Sequence, residues 1–438
     1  LPLARIGACT GDAKTVKTRT VTSTIQEARD THPTGITRLK KPAAIVGTMI
    51  VTASLIEART SPILYLWVAI ASVILLSYAA LACVKPGLRA LWMNLAVVIF
   101  ALGAVETYFW VLEPYERRME YNENFFIADE ILGYKPAPGK SFTHRTSVRE
   151  GLLYHVTYTI NAEGLRIASP VEAPAAMDQP CIAFFGDSFT FGEGVNDEQT
   201  MPYQVWKDVA GRYHTVNFGF LGYGPHQMLA AIEQGYLESQ GHCRPAQVIY
   251  QTIPAHLPRS AGLEFWDPHG PRYVLDQSGH VRHTGQFDEV PATGILDRLR
   301  TTHRQLSTGW KDRLNRSALY RTLLRTRRAV NEQDAALYGE IVGAAKQLVE
   351  TRYPGARFHV LLWDFDDSKQ EAEWIQQTLA RHHVSVTAMS QILRDFPADR
   401  GRYEIHPDDR HPNALAHAQI ADFVAQHLVN SPADEAPH

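Results

Sequence analysis

The sequence predicts an α/β protein: a three-layer parallel sheet with helices on both faces, preceded by a transmembrane helical hairpin. Two observations lead there. From residue 181 onward, short apolar runs of strand length alternate with amphipathic runs of helix length, the pattern of βαβ units. Upstream, residues 62–112 hold 40 apolar residues out of 51 (Ala, Val, Ile, Leu, Met, Phe, Trp, Tyr and Cys). Bulk figures conceal this division, because a mean hydropathy of −0.20 averages an apolar part with a polar one. The composition excludes whole-chain disorder and collagen-like or disulfide-scaffold classes. With a net charge of −3 over 438 residues, nothing in the bulk balance points to nucleic acid.

Taken in chain order, residues 1–41 contain nine Thr, eight Lys or Arg and three Asp or Glu, with no sustained apolar period. Such a composition builds no core, so this stretch is expected to be a disordered or non-native leader. The chain begins at Leu1 and its first methionine is Met49, so the expected origin is a start upstream of the native one, or a fragment. Pro42–Ile56 is a short apolar segment, too short for a span and compatible with a signal-like core or an extra helix. Pro62–Val84 then runs for 23 residues without a charge, and Ala90–Leu112 for 23 with Glu106 alone. About 20 residues cross the hydrocarbon layer, so the pair reads as a membrane hairpin. The connecting Lys85–Arg89 carries two positive charges and no negative one, which places it in the cytoplasm and everything after residue 112 outside. Arg117 and Arg118 act against that orientation.

Residues 127–180 read as a β-rich preamble around Leu152–Ile160, ending in a Pro/Ala-rich connector over Pro170–Pro180. Strands follow at Cys181–Phe185, His214–Phe218, Ala246–Ile253, Phe358–Trp363 and Val384–Val386. Helices are expected at Met201–Val209, Gln227–Tyr236, Ala335–Glu350, Glu371–Ala380 and Asn413–Leu428. Residues 254–334 interrupt the alternation with a hairpin near Arg272–Val281 and basic helical runs over Arg298–Arg328. The basic runs read as a solvated helix face rather than a nucleic-acid site. No zinc-ligand spacing and no Gly-rich phosphate loop occurs, so neither metal nor cofactor is expected.

Three short blocks carry chemistry. Gly186-Asp187-Ser188 ends the first strand, where α/β sheets bind ligands, and a serine there projects its hydroxyl and N–H into the crevice. Asn217-Phe-Gly219-Phe-Leu-Gly222-Tyr-Gly224 follows the second strand, with small residues that let a backbone N–H approach a ligand. Asp408-Asp-Arg-His411 precedes the last helix; a serine needs a base, and a histidine base needs an orienting carboxylate. Each block alone has an ordinary reading as a turn or a polar loop.

Together, and in this order, the blocks resemble those of the SGNH/GDSL hydrolase family over roughly residues 127–430. Asn161-x-x-Gly164-Leu-Arg166 also looks like the preamble of its longer bacterial members. The resemblance implies a flavodoxin-like three-layer sheet. It implies Ser188 as nucleophile, His411 as general base, Asp408 as the residue that orients His411, and Gly222 as an oxyanion donor. Gly222 rather than Gly219 is a choice of register. One departure stands out. The family's third block supplies an asparagine to the oxyanion hole, whereas here the third strand runs into Thr252-Ile-Pro-Ala-His256. Losing one such donor costs about 10²–10³ in kcat in other enzymes. His256 is the candidate replacement through a ring N–H; the plain alternative is a surface histidine in a Pro-rich turn.

Cys181 and Cys243 flank strands that are neighbours in the flavodoxin-like order, so a disulfide suited to an oxidising exterior and two unrelated thiols are both open. The expectation is a membrane-anchored serine esterase or O-acyltransferase, in the bacterial cytoplasmic membrane, with its catalytic domain outside. Its substrate would be an acylated carbohydrate, such as a cell-surface polysaccharide, or another small ester. The alternative is a non-catalytic module that keeps the fold to bind polysaccharide or an assembly partner.

Overall fold

The computed structural model describes residues 62–82, 85–112, 118–148, 151–170, 180–291, 294–365 and 368–429. The expected leader and the Pro42–Ile56 segment lie outside the described residues. The chain divides into two units, Leu1–Tyr108 and Phe109–His438.

In the first unit, helix α1 spans Pro62–Ala82 and α2 begins at Pro86 and runs to Leu112. The expected loop Lys85–Arg89 is therefore mostly helix, because proline pre-sets the first helical φ and has no N–H to leave unpaired. Among the described residues one helix, Pro86–Val111, is long and apolar enough to cross a membrane, and 11% of its most apolar stretch is buried. A core helix would be covered by protein. This one leaves Leu91, Val97, Phe100 and Val111 exposed.

The second unit opens with the preamble. Strands β1 (Arg118–Tyr121), β4 (Lys140–Val148) and β5 (Gly151–Ile160) form an antiparallel sheet in the order β1-β4-β5, and β2 (Phe126–Asp129) pairs with β3 (Gly133–Pro136). The central sheet follows, with β6 (Pro180–Phe185), β7 (His214–Asn217), β8 (Arg244–Thr252), β11 (Arg357–Leu362) and β12 (Ser385–Ala388). Its order is β12-β11-β8-β6-β7 and every pair is parallel. This is the flavodoxin-like 2-1-3-4-5 order.

Side-chain alternation explains the layers. Cys181, Ala183 and Phe185 of β6 join Val248, Tyr250, Phe358, Val360 and Leu362 in one core. Ile182 and Phe184 join Ile249, Leu361 and Trp363 in the other. The first core is covered by α5 (Pro225–Glu233), α11 (Glu332–Arg352) and α12 (Lys369–Arg381), and the second by α4 (Met201–Asp208) and α14 (Ala414–Phe423). Cys181 and Cys243 are joined by a disulfide with Cα atoms 5.8 Å apart.

Between β6 and α4 lies a single helical turn, α3 (Ser188–Phe191), and α6 (Tyr236–Ser239) precedes β8. Residues 254–334 hold α7 (His256–Ser260) and the hairpin β9 (Pro271–Leu275) and β10 (Val281–Gln286). Helices α8 (Ile295–Gln305), α9 (Thr308–Asn315) and α10 (Ala318–Arg325) carry the basic runs. After β12 come a short turn α13 (Met389–Ile392) and the hairpin β13 (Glu404–His406) and β14 (Asp409–Pro412).

Candidate active site

The parallel register brings the carboxyl ends of β6, β7 and β8 side by side, pairing Phe184 with Asn217 and with Ile249. The blocks that follow those strands therefore converge. Gly186 is needed where β6 turns: a Cβ there would stand 2.2 Å from Thr190 Oγ1 and 2.8 Å from the Gln251 carbonyl oxygen. Ser188 is the first residue of α3, and Asp187 caps that turn by accepting the Phe189 N–H at 3.0 Å. Asn217 braces the same turn from β7. Its Nδ2 donates to the Thr190 carbonyl at 3.1 Å and its Oδ1 accepts the Gly219 N–H at 3.0 Å.

The C-terminal hairpin brings His411 to this turn from more than 200 residues away. His411 Nε2 lies 2.8 Å from Ser188 Oγ, and His411 Nδ1 lies 2.5 Å from Asp409 Oδ1. Neutral histidine with its proton on Nδ1 donates to Asp409 and accepts from the serine hydroxyl. The carboxylate here is Asp409, not the expected Asp408. Residues 409–412 form a strand, so positions 409 and 411 share one face. Asp408 sits in the turn beside His406, with its side chain 57% exposed. The expected spacing assumed a loop that folds back, and the strand's period of two selects the neighbouring carboxylate instead.

His256 is also not where the oxyanion expectation needs it. It is fully buried, with Nδ1 2.6 Å from Tyr250 Oη and 3.0 Å from Thr252 Oγ1, and with Nε2 3.2 Å from Asp187 Oδ2. Both ring nitrogens thus face protein groups. Burial, together with the Arg259 charge, pulls its pKa down to about 4 against the pull of Asp187. One turn further along α7, Arg259 Nη1 donates to Asp187 Oδ2 at 2.8 Å and to the Tyr223 carbonyl at 2.7 Å. Burial alone would raise the Asp187 pKa, but His256 and Arg259 outweigh it and hold the carboxyl below the usual range. The end of β8, where the third block would stand, is therefore occupied by a clamp on the first block.

The second-block loop ends at Gly222, with φ of +79°, and a Cβ there would lie 2.6 Å from Tyr134 Oη. Tyr134 Oη donates to the Leu221 carbonyl at 2.8 Å, so the preamble fixes this loop. The Gly219 N–H is taken by Asn217, whereas the N–H groups of Gly222 and Ser188 have no acceptor among the described residues. Trp266, 43% exposed, has its Nε1 3.0 Å from where a Gly222 Cβ would stand.

Four residues of this region escaped the sequence reading as site residues: Asp409, Arg259, Glu193 and Tyr154. Glu193 Oε2 lies 3.2 Å from His411 Nε2, and Tyr154 Oη donates to Glu193 Oε1 at 3.3 Å. Arg166 was visible only as part of a motif. Its buried guanidinium donates to Asp197 Oδ1 and to the Phe191, Gly192 and Val195 carbonyls, which fixes the loop that carries Glu193. Among the described residues no cluster of three or more His, Cys, Asp or Glu has a metal-binding arrangement.

No family model matches the chain, and no curated protein matches it in sequence. Solved structures are similar to it. A lipolytic protein of the G-D-S-L family from Desulfitobacterium hafniense shares 14% identity at a TM-score of 0.31, covering 56% of this chain and 97% of its own. A GDSL-like lipase from Parabacteroides merdae shares 12% at 0.29, over 57% and 94%. A carbohydrate esterase family 2 enzyme with a carbohydrate-binding domain, from Corynascus thermopiles, shares 13% at 0.30, over 72% and 86%. At such TM-scores these likenesses carry no weight of their own. The SGNH/GDSL hydrolase-like fold is carried by the strand order and by the blocks at its strand ends.

Proposed function

We propose that this chain is a membrane-anchored serine esterase or O-acyltransferase of SGNH type, with its α/β unit outside the cytoplasmic membrane. One observation carries the chemistry: a single imidazole, His411, bonds Ser188 Oγ at 2.8 Å on one nitrogen and Asp409 at 2.5 Å on the other. His411 takes the Ser188 proton as Oγ attacks an acyl carbonyl, and Asp409 stabilises the imidazolium. The N–H groups of Ser188 and Gly222 hold the tetrahedral oxyanion. His411 then passes its proton to the leaving alkoxide. Water or an acceptor hydroxyl, deprotonated by the same nitrogen, releases the acyl group.

The anchor is helix Pro86–Val111, and the Cys181–Cys243 disulfide suits an oxidising compartment. The substrate class is an O-acylated sugar of a cell-surface polysaccharide or a similar ester. The half-exposed Trp266 ring beside Gly222 offers a flat apolar surface for such a sugar. A second reading, a non-catalytic module that binds polysaccharide or an assembly partner, is favoured by the missing third-block asparagine and by the sealed His256.

The two readings separate in one experiment on the full-length protein in detergent, with a fluorophosphonate probe and a p-nitrophenyl acyl ester series. The esterase reading expects wild type to label and turn over and Ser188→Ala to do neither. If wild type is inert to both, or Ser188→Ala matches it, that reading fails and the binding module takes its place.

A further inference from the structure

Ser188, His411 and Asp409 leave one nearby group unused. Glu193 is buried at 4% exposure, five residues after the serine and on the loop that Arg166 holds. Its Oε2 is 3.2 Å from His411 Nε2, the same nitrogen that bonds Ser188 Oγ. Its Oε1 accepts from Tyr154 Oη on preamble strand β5. Burial pushes the Tyr154 hydroxyl well up, with the Glu193 charge adding to it, so the phenol remains a donor. The next residue, Gly194, donates its N–H to Tyr158 Oη at 2.9 Å, so two tyrosines of one strand fix the carboxylate's approach. The carboxylate is therefore held in place.

Resting on the esterase reading, we propose that Glu193 is a positioning residue: it receives the Nε2–H of the His411 imidazolium after the serine proton has transferred. In that step the Ser188 O–H bond breaks and its proton binds Nε2. The Oγ electron pair forms the bond to the acyl carbon, and the carbonyl π pair moves onto oxygen. The imidazolium then has a carboxylate at each N–H, Asp409 at Nδ1 and Glu193 at Nε2. The Nε2–H stays between Glu193 and the leaving oxygen until that oxygen takes the proton. Such flanking stabilises the cation and raises the pH at which His411 becomes a free base.

Among the described residues, these other groups around His411 do not take this place. On its own hairpin, Arg410 is exposed, Asp408 lies in the turn, and His406 ends β13 with its Nδ1 3.6 Å from Asp408 Oδ2. On α14, burial, with the Arg166 and His411 charges adding to it, lowers the His417 pKa to about 3, so it stays neutral. Phe189 contributes an uncharged ring, and Tyr154 and Tyr158 remain protonated donors or acceptors.

The test compares Glu193→Gln with wild type in the full-length protein. The acid limb of kcat/KM should move to lower pH by about one unit or more. Glu193→Asp should bring it back toward wild type, because it restores the charge. A packing role alone would make the isosteric Gln the milder change and leave the limb in place. Glu193→Ser supplies a second neutral variant should Gln not fold.

A readout free of turnover uses the Ser188→Ala chain with labelled histidine, following His411 by NMR and assigning its signal through loss in Ser188→Ala/His411→Gln. Adding Glu193→Gln should lower its titration midpoint by a similar amount. Coincident titrations with and without Glu193 would overturn the proposal. An inert wild type with a shifted midpoint would overturn the esterase reading and leave the Glu193–His411 coupling standing.

Discussion

At the scale of single residues, two adjacent aspartates have opposite surroundings. Asp409 is buried and bonded to His411, while Asp408 is exposed in the turn before it. Asp409→Asn keeps the shape but offers an amide where Nδ1–H needs an acceptor, which favours the wrong tautomer. By the general logic of such triads, kcat should fall by about 10⁴. Asp408→Asn should stay within about twofold, since surface changes away from such contacts do little. Ester turnover of the two variants, measured side by side, checks both. Equal losses would mean the hairpin rearranges to present Asp408. Spacing in a sequence marks which residue types are near a histidine, and strand parity decides which of two neighbours faces it.

At the scale of elements, helix α7 replaces a missing donor with a clamp. Arg259 joins Asp187 of the first block to the Tyr223 carbonyl of the second, and so sets the Gly222 loop against the serine turn. Arg259→Met would leave Asp187 buried without its cation. The expected cost is about 3–5 kcal/mol of stability, read by chemical denaturation. The five central strands were legible because alternation and apolar run length are local properties. The clamp was not, because its partners stand 36 and 72 residues away in sequence. Arg166 belongs with it: a motif residue whose purpose becomes visible only once the carbonyls of residues 191, 192 and 195 turn toward it.

For the whole molecule, the buried His417 contributes to the loss of stability in acid. His417 accepts the Met201 N–H at 3.1 Å through Nδ1, and its pKa is lowered to about 3 by burial first and then by nearby positive charge. Unfolded, it titrates near about 6.5. The unfolded chain therefore binds the proton first, so stability is fully present above about pH 6.5 and is lost as pH falls toward about 3. Between pH 7 and pH 5 this single group should cost about 2 kcal/mol. His417→Gln should remove that part of the slope in denaturation curves taken at the two pH values, and an unchanged slope would refute the assignment.

The sequence by itself determined the apolar stretch before residue 112, the βαβ alternation after residue 181, and the three blocks with Ser188 and His411 in them. Run length, period and residue type are enough for that, because each depends on neighbours along the chain. Tertiary structure decided which carboxylate meets His411, that His256 is sealed behind Asp187, and that Glu193, bonded by Tyr154, reaches the same imidazole. Those outcomes turn on side-chain directions and on contacts between distant segments, and the parallel register and the C-terminal hairpin bring those segments together only after folding.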